Sequence, residues 1–239
     1  MLSGKNDFEM LVNKFREAGI NHVKISAGYR LSYPDEKLFT FYLDEFETKL
    51  FDLPEGVYTC LIENEDCEEQ ILTPGIADEI FSRTKVPMTK NEVRVLSISR
   101  LELTKNAVVY DVGSGTGSVS IECARLSPDI FVFAIEQKEE AANLTKENAV
   151  RLGLSDQIVV INKKAPEGFE ELPTPTHVFI GGSSGVLSDI LSAIQKKLIV
   201  KENTKGKTDK ASKGVRVVIN AVSLETIAQI TKLIQTYPV

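Results

Sequence analysis

Apolar positions along this chain fall into two regimes. From about residue 86 onward, short apolar runs alternate with stretches of helical periodicity, whereas the first third carries fewer and thinner apolar segments. In the later part, residues 107–110 read as a buried parallel strand, 118–124 as a helix and 130–135 as a second strand. A helix over 138–152 then stops at Gly153, strands follow over 157–161 and 176–181, a helix over 186–198, and a fifth strand over 215–222. This alternation predicts an α/β fold with a doubly wound, mostly parallel sheet. The domain opens on a helix-start signal: Thr89 caps, Glu92 three residues later completes a capping box, and Val93 and Leu96 mark the buried face.

The first third is simpler. Phe8, Leu11, Val12 and Phe15 recur at helical spacing up to Gly19, Val23 and Ile25 suggest a short strand, and a loop follows. A second strand is expected over 57–62, after turn residues at 53–56, and the acidic, turn-forming residues from Glu63 to Gly75 read as a connector. The predicted division is a small α/β segment over 1–66, a linker over 67–85 and a larger domain over 86–239. Charge supports a boundary: residues 1–87 carry 9 Lys and Arg against 17 Asp and Glu, while 88–239 carry 19 against 17, in keeping with the whole-chain net of −6. Seven lysines crowd between Gln195 and Gly214, which reads as a solvated loop or as an electrostatic guide for an anionic substrate.

Composition narrows the class. With 239 residues, 42% of them hydrophobic, the chain can bury a real core. Cys60, Cys67 and Cys123 form no C-x-x-C pair, so neither a disulfide framework nor a zinc site is suggested and the thiols are expected to be buried or idle. His22 and His177 lack the neighbours of a metal or nucleophile constellation, and no metal is assigned. The opening residues lack the apolar run of a signal peptide, and no apolar stretch approaches a bilayer-spanning length, so a cytoplasmic protein is expected.

Candidate chemistry lies where the first strand of the larger domain gives way to its helix, at Asp111-Val112-Gly113-Ser114-Gly115-Thr116-Gly117. Glycines at alternate positions let the backbone pass close under a ligand. Glu136 ends the next strand about twenty residues on, where a ribose presents its hydroxyls. A dinucleotide fingerprint would place a third glycine where Ser118 stands, so the spacing disfavours a pyrophosphate-bearing cofactor. An acidic residue beside the loop would attract a cationic cofactor and repel a phosphate. The pattern is similar to the S-adenosylmethionine pocket of Rossmann-like, class I methyltransferases; the alternative is an ordinary tight strand-to-helix turn. Asp111, Glu136, Ala165, Gly181 and Asn220 all fall at or just past strand carboxyl ends, where ligands bind in such sheets.

Five segments, in order, resemble a narrower family, the decarboxylating precorrin methyltransferases of cobalamin synthesis. They are Pro87-Met88-Thr89-Lys90, the run from Asp111 to Glu122, Ala165-Pro166-Glu167, Phe179-Ile180-Gly181-Gly182-Ser183, and Asn220-Ala221-Val222-Ser223-Leu224-Glu225-Thr226. The first third resembles the C-terminal part of the partner methyltransferase domain often fused ahead of this one, most visibly at Leu31-Ser32-Tyr33-Pro34-Asp35-Glu36-Lys37. That partner's own cofactor loop is not in the sequence, so the resemblance implies only the second of the two reactions, methyl transfer to C15 of a reduced tetrapyrrole with loss of carbon dioxide from the ring C acetate. Family members usually continue into a final strand pair after the helix that precedes Tyr237, so an open sheet edge and a missing wall of the substrate site are expected. The lysine loop is also longer than the short turn usual there.

The resemblance implies residue roles. Gly113, Ser114, Gly115 and Gly117 would pass beneath S-adenosylmethionine with Asp111 beside them, Glu136 would take the ribose hydroxyls, and Ala165 would flank the adenine. Thr89 and Gly181 would line its methyl end, and Gly182, Ser183 and Asn220 the substrate. A polycarboxylate substrate asks for cations at its rim, which Lys90 and Arg94, one helical turn apart, supply unless they are solvated surface charges. A homo-tetramer is implied, with no nucleic acid or membrane partner. An RNA methyltransferase would share the glycine loop, but the chain has no tryptophan, little aromatic stacking surface and an acidic balance unfavourable to phosphate backbones. A fragment that binds cofactor without turnover is the other alternative.

Overall fold

The computed structural model describes residues 2, 4–17, 20, 22–46, 54–64, 73–204, 214–233 and 235–237. The chain divides into two compact units, residues 1–70 and 71–239.

In the first unit a helix, α1 (Lys5–Glu17), precedes three strands, β1 (Val23–Tyr29), β2 (Lys37–Tyr42) and β3 (Tyr58–Asn64), paired antiparallel in the order β2-β1-β3. Phe8 and Val12 of α1 pack on Val23, Ile25 and Ala27, the inward positions of β1, together with Phe41 and Tyr58. The expected loop between the two strands contains β2. Its alternation is real, with Phe39 and Phe41 turned inward, but Leu38 stays 72% exposed and Tyr42 39%. Both faces of the strand are therefore apolar, which blurs the period-two signal.

The second unit begins with a 3-10 turn, Asp78–Ile80, and then runs α2 (Asn91–Leu101), β4 (Val108–Val112), α3 (Ser118–Arg125), β5 (Phe131–Ile135), α4 (Glu139–Arg151) and β6 (Ile158–Ile161). A second 3-10 turn, Phe169–Glu171, leads to β7 (His177–Ile180), α5 (Leu187–Thr204), β8 (Arg216–Ile219) and α6 (Leu224–Leu233). All five strands are parallel, in the order β6-β5-β4-β7-β8. Strand order reverses between β4 and β7, which opens a crevice at their carboxyl ends. Alternation serves both faces of the sheet: Val109, Val132, Ala134 and Phe179 enter the core beneath α2 and α3, while Tyr110, Val112, Ile135, Val178 and Ile180 enter the core with α5.

Three expectations are corrected. Residues 73–85 are not a free linker, since they lie in the second unit and are tied to its helices by hydrogen bonds. The capping box does not form: α2 starts at Asn91 with Lys90 as its N-cap and no side-chain cap bond. Asn91 instead donates from Nδ2 to the carbonyls of Gly75 and Ile76, holding the preceding segment. The lysine-rich stretch is partly helix, because α5 runs on to Thr204 and carries Lys196 and Lys197. Lys197 donates to the carbonyls of Phe169 and Glu170. Residues 205–213 lie outside the described residues. Cys123 is buried and Cys60 half-buried, while Cys67 lies outside the described residues. No helix among the described residues is long and apolar enough to cross a membrane.

Candidate cofactor and substrate site

At the carboxyl ends of β4, β5 and β7 lies a cavity of about 250 Å³. The glycine loop forms its floor. Gly113, Gly115 and Gly117 have φ of +76°, +59° and +77°, backbone that residues with a Cβ rarely adopt. A Cβ on Gly113 would sit 2.8 Å from the carbonyl oxygen of Gly182, and one on Gly115 2.8 Å from that of Pro87, so both glycines are needed for close backbone approach as well as for the turn. Gly117, as N-cap of α3, packs against Thr145 of α4.

Glu136 stands at the end of β5 and is 8% exposed. Its Oε2 accepts the Gly115 amide at 3.1 Å and its Oε1 the Lys138 amide at 2.9 Å. These bonds aim the carboxylate at the cavity, and each oxygen keeps a lone-pair site for a further donor. Asp111 is buried. Its Oδ2 accepts from Ser120 Oγ, while Oδ1 has no hydrogen-bond partner. Burial pushes its carboxyl up to about 6, against the Ser120 hydrogen bond and with help from the Glu136 charge.

The cavity brings together Gly113, Gly115, Glu136, Ala165, Gly181, Gly182 and Ser183. Asp111, Ser114 and Gly117 belong to the loop without lining the cavity; Ser114 Oγ is 3.2 Å from Thr145 Oγ1, which in turn donates to the Gly115 carbonyl at 3.0 Å. Thr89 and Asn220 are half-buried and stand outside the cavity wall. The Asn220 side chain accepts from Ser97 Oγ of α2 at 3.2 Å.

Arg94 is the clear correction. It is fully buried, donating from Nε to Glu122 at 3.0 Å and from Nη1 to Asp78 at 3.0 Å and to the Thr89 carbonyl at 2.8 Å, with Nη2 on the Ile76 carbonyl. Its Cζ lies 4.8 Å from the centre of the Phe81 ring. Two carboxylates, two carbonyls and a ring surround the guanidinium, leaving no face for a substrate. Lys90 keeps its exposure but pairs with the other oxygen of Asp78 at 3.1 Å.

Sequence reasoning missed Val86, Lys138, Lys163, Lys164 and Ser184, which also line the cavity. The strand-end rule that selected Ala165 would have found Lys163 and Lys164, just past β6. Val86 and the wall formed by Pro87 come from the stretch read as the helix start that opens the larger domain.

The chain matches the model of a precorrin methyltransferase domain over residues 79–238. It belongs to the precorrin methyltransferase family. A Pyrobaculum calidifontis relative named "Probable cobalt-precorrin-6B C(15)-methyltransferase (decarboxylating)" is 40% identical over 157 residues, covering 65% of this chain and 73% of the relative. One of the same name from Saccharolobus solfataricus is 36% identical over 163 residues, covering 67% and 75%. Among solved structures, the precorrin-6Y C5,15-methyltransferase of Geobacter metallireducens is 33% identical with a TM-score of 0.59, covering 69% of this chain and 78% of that one. The precorrin 8W decarboxylase of Methanobacterium thermoautotrophicum is 32% identical with a TM-score of 0.58, covering 67% and 80%. The cavity can take a cationic nucleoside cofactor: its floor is bare backbone and the Glu136 carboxylate stands at its lip.

Proposed function

We propose that this protein transfers the methyl group of S-adenosylmethionine to C15 of a cobalt-precorrin-6B-type tetrapyrrole and releases carbon dioxide from the ring C acetate. The observation that carries the cofactor half is the Glu136 carboxylate, fixed on the Gly115 amide at the lip of a glycine-floored cavity. The substrate half rests on family membership and on relatives named for that reaction.

When bound, S-adenosylmethionine supplies an activated methyl group. The residues then have a limited task. Glu136 orients the ribose through its free lone pairs, Ala165, Ile135 and Ala141 give the adenine an apolar wall, and Gly113 and Gly115 keep the floor free of side chains. Gly181, Gly182 and Ser183, past β7, form the side facing the substrate. Alignment of two reacting carbons and exclusion of water account for most of what such a transfer needs, so few acids or bases are required. Lys163 and Lys164 at the cavity rim, rather than Arg94, are the cations offered to substrate carboxylates. The first unit we read as the C-terminal part of a tetrapyrrole methylase domain.

The test is stoichiometry. Incubated anaerobically with a tetrapyrrole labelled at the ring C carboxyl, the protein should release labelled carbon dioxide only with S-adenosylmethionine present, one for each S-adenosylhomocysteine formed. Carbon dioxide without the cofactor, or methyl transfer without carbon dioxide, contradicts the reading.

A further inference from the structure

The segment that supplies Val86 and Pro87 to the cavity has almost no regular structure, yet it is firmly held. Gly75 and Ile76 donate their amides to Glu122, Asp78 is paired with Arg94 and Lys90, and Ser82 is bound by Asn148. Residues 75–90 thus form a strap whose backbone bonds are met by side chains of α2, α3 and α4 rather than by a sheet or a helix.

Asn148 stands apart among these partners because it also holds the glycine loop. It is fully buried in the last turn of α4. Its Oδ1 accepts the Ser82 amide at 2.7 Å and Arg151 Nη2 at 3.1 Å, and its Nδ2 donates to the Ser82 carbonyl at 2.9 Å and the Thr116 carbonyl at 2.9 Å. All four hydrogen-bonding positions of the amide are used. Three residues earlier on the same helical face, Thr145 donates to the Gly115 carbonyl, and a turn before that Ala141 lines the cavity. One face of α4 therefore sets the floor of the cavity, and Asn148, bonded to both Ser82 and the Thr116 carbonyl, joins that floor to the strap that forms its wall; the same helix also reaches the strap from Glu140 to Thr84 and from Arg151 to the Ile80 carbonyl.

We propose that Asn148 is a positioning residue for the cofactor: it fixes the strap and the glycine loop in register, so that ligand binding at the loop and ordering of the strap are one event. The proposal rests on the cofactor reading above. By linkage, whatever the strap contributes to binding, binding must return to the strap. An apolar residue at this position would orphan three backbone groups. Aspartate would keep the acceptor for the Ser82 amide but set a carboxylate against two carbonyls.

Two measurements test it, neither of which needs turnover. In the wild-type protein, saturation with S-adenosylhomocysteine should slow hydrogen exchange at the Ser82 amide, outside the cavity, by about tenfold, together with the amides of the glycine loop. In Asn148→Asp, calorimetry below the melting transition should show the Kd for S-adenosylhomocysteine raised about tenfold or more. The control is Gln157→Ala. Gln157 Nε2 bonds three carbonyls, those of Ala124, Ser127 and Ile130, and touches neither loop nor strap. It should lower the melting temperature and leave the Kd unchanged. If the wild type binds the ligand but Ser82 exchange does not respond, or if Asn148→Asp loses stability as Gln157→Ala does with its Kd unaltered, Asn148 is merely structural and the proposal falls while the cofactor reading stands. If the wild type does not bind at all, both fall. Should Asn148→Asp fail to fold, the exchange measurement on the wild type decides.

Discussion

Two carboxylates twenty-five residues apart in sequence illustrate how placement sets the role of a residue; Asp111 and Glu136 flank one loop, yet only Glu136 lines the cavity. Glu136→Ala should weaken S-adenosylhomocysteine binding by about 10- to 100-fold, the loss of charge-assisted hydrogen bonds to the ribose. Unchanged affinity in a calorimetric titration would remove Glu136 from the site. Asp111 should report through pH. Its carboxyl titrates near 6 in the folded protein, above the roughly 3.9 of an unfolded chain. Its contribution to stability is therefore full below about pH 4 and lost as pH rises through about 6. A cationic ligand favours the ionised form, so binding of S-adenosylmethionine should tighten as pH rises from 5 to 7 and release a proton, seen as a dependence of the calorimetric heat on buffer ionisation. In Asp111→Asn both dependences should flatten; a wild-type Kd flat across that range would contradict the assignment. The glycines, Glu136 and Ala165 were legible because strand ends and φ-demanding turns leave a local signature. Arg94 was misread because its partners, Asp78 and Glu122, lie 16 and 28 residues away in sequence, and no periodicity reveals a buried pair.

Elements show a parallel division. The five parallel strands and their helices were readable because short apolar runs alternate there with stretches of helical periodicity, although α5 runs past its expected end; β2, which has no such helical stretch on either side and carries leucine and tyrosine on its outer face, passed for a loop. The strap could not be read, since its conformation is set by side chains from three helices and not by its own residues. Arg94→Ala leaves buried Glu122 with two backbone amides and Arg125 at 3.4 Å, and should cost about 3–5 kcal/mol in urea unfolding of the second unit. Pairing it with Glu122→Gln should recover part of the loss, because the stranded charge is then gone. Additive losses in the two variants would mean that the network is not a unit. The expected start of α2 failed for the same reason: Thr89 gives its carbonyl to Arg94, and Asn91 spends its side chain on the strap rather than on a cap.

For the whole molecule, a second unit that matches the precorrin methyltransferase model over residues 79–238 and carries a five-stranded parallel sheet is joined to a small antiparallel unit of different construction. The net charge of −6 argues against a phosphate-backbone partner, and no mobility shift is expected with RNA at moderate salt. Methyl transfer and decarboxylation on one tetrapyrrole can be read together by mass spectrometry of a reduced precorrin-6-type substrate incubated anaerobically with the protein and S-adenosylmethionine. The expected product has gained one methyl group and lost carbon dioxide. A product with two added methyls, or substrate unchanged while S-adenosylhomocysteine binds tightly, would contradict the coupled reaction.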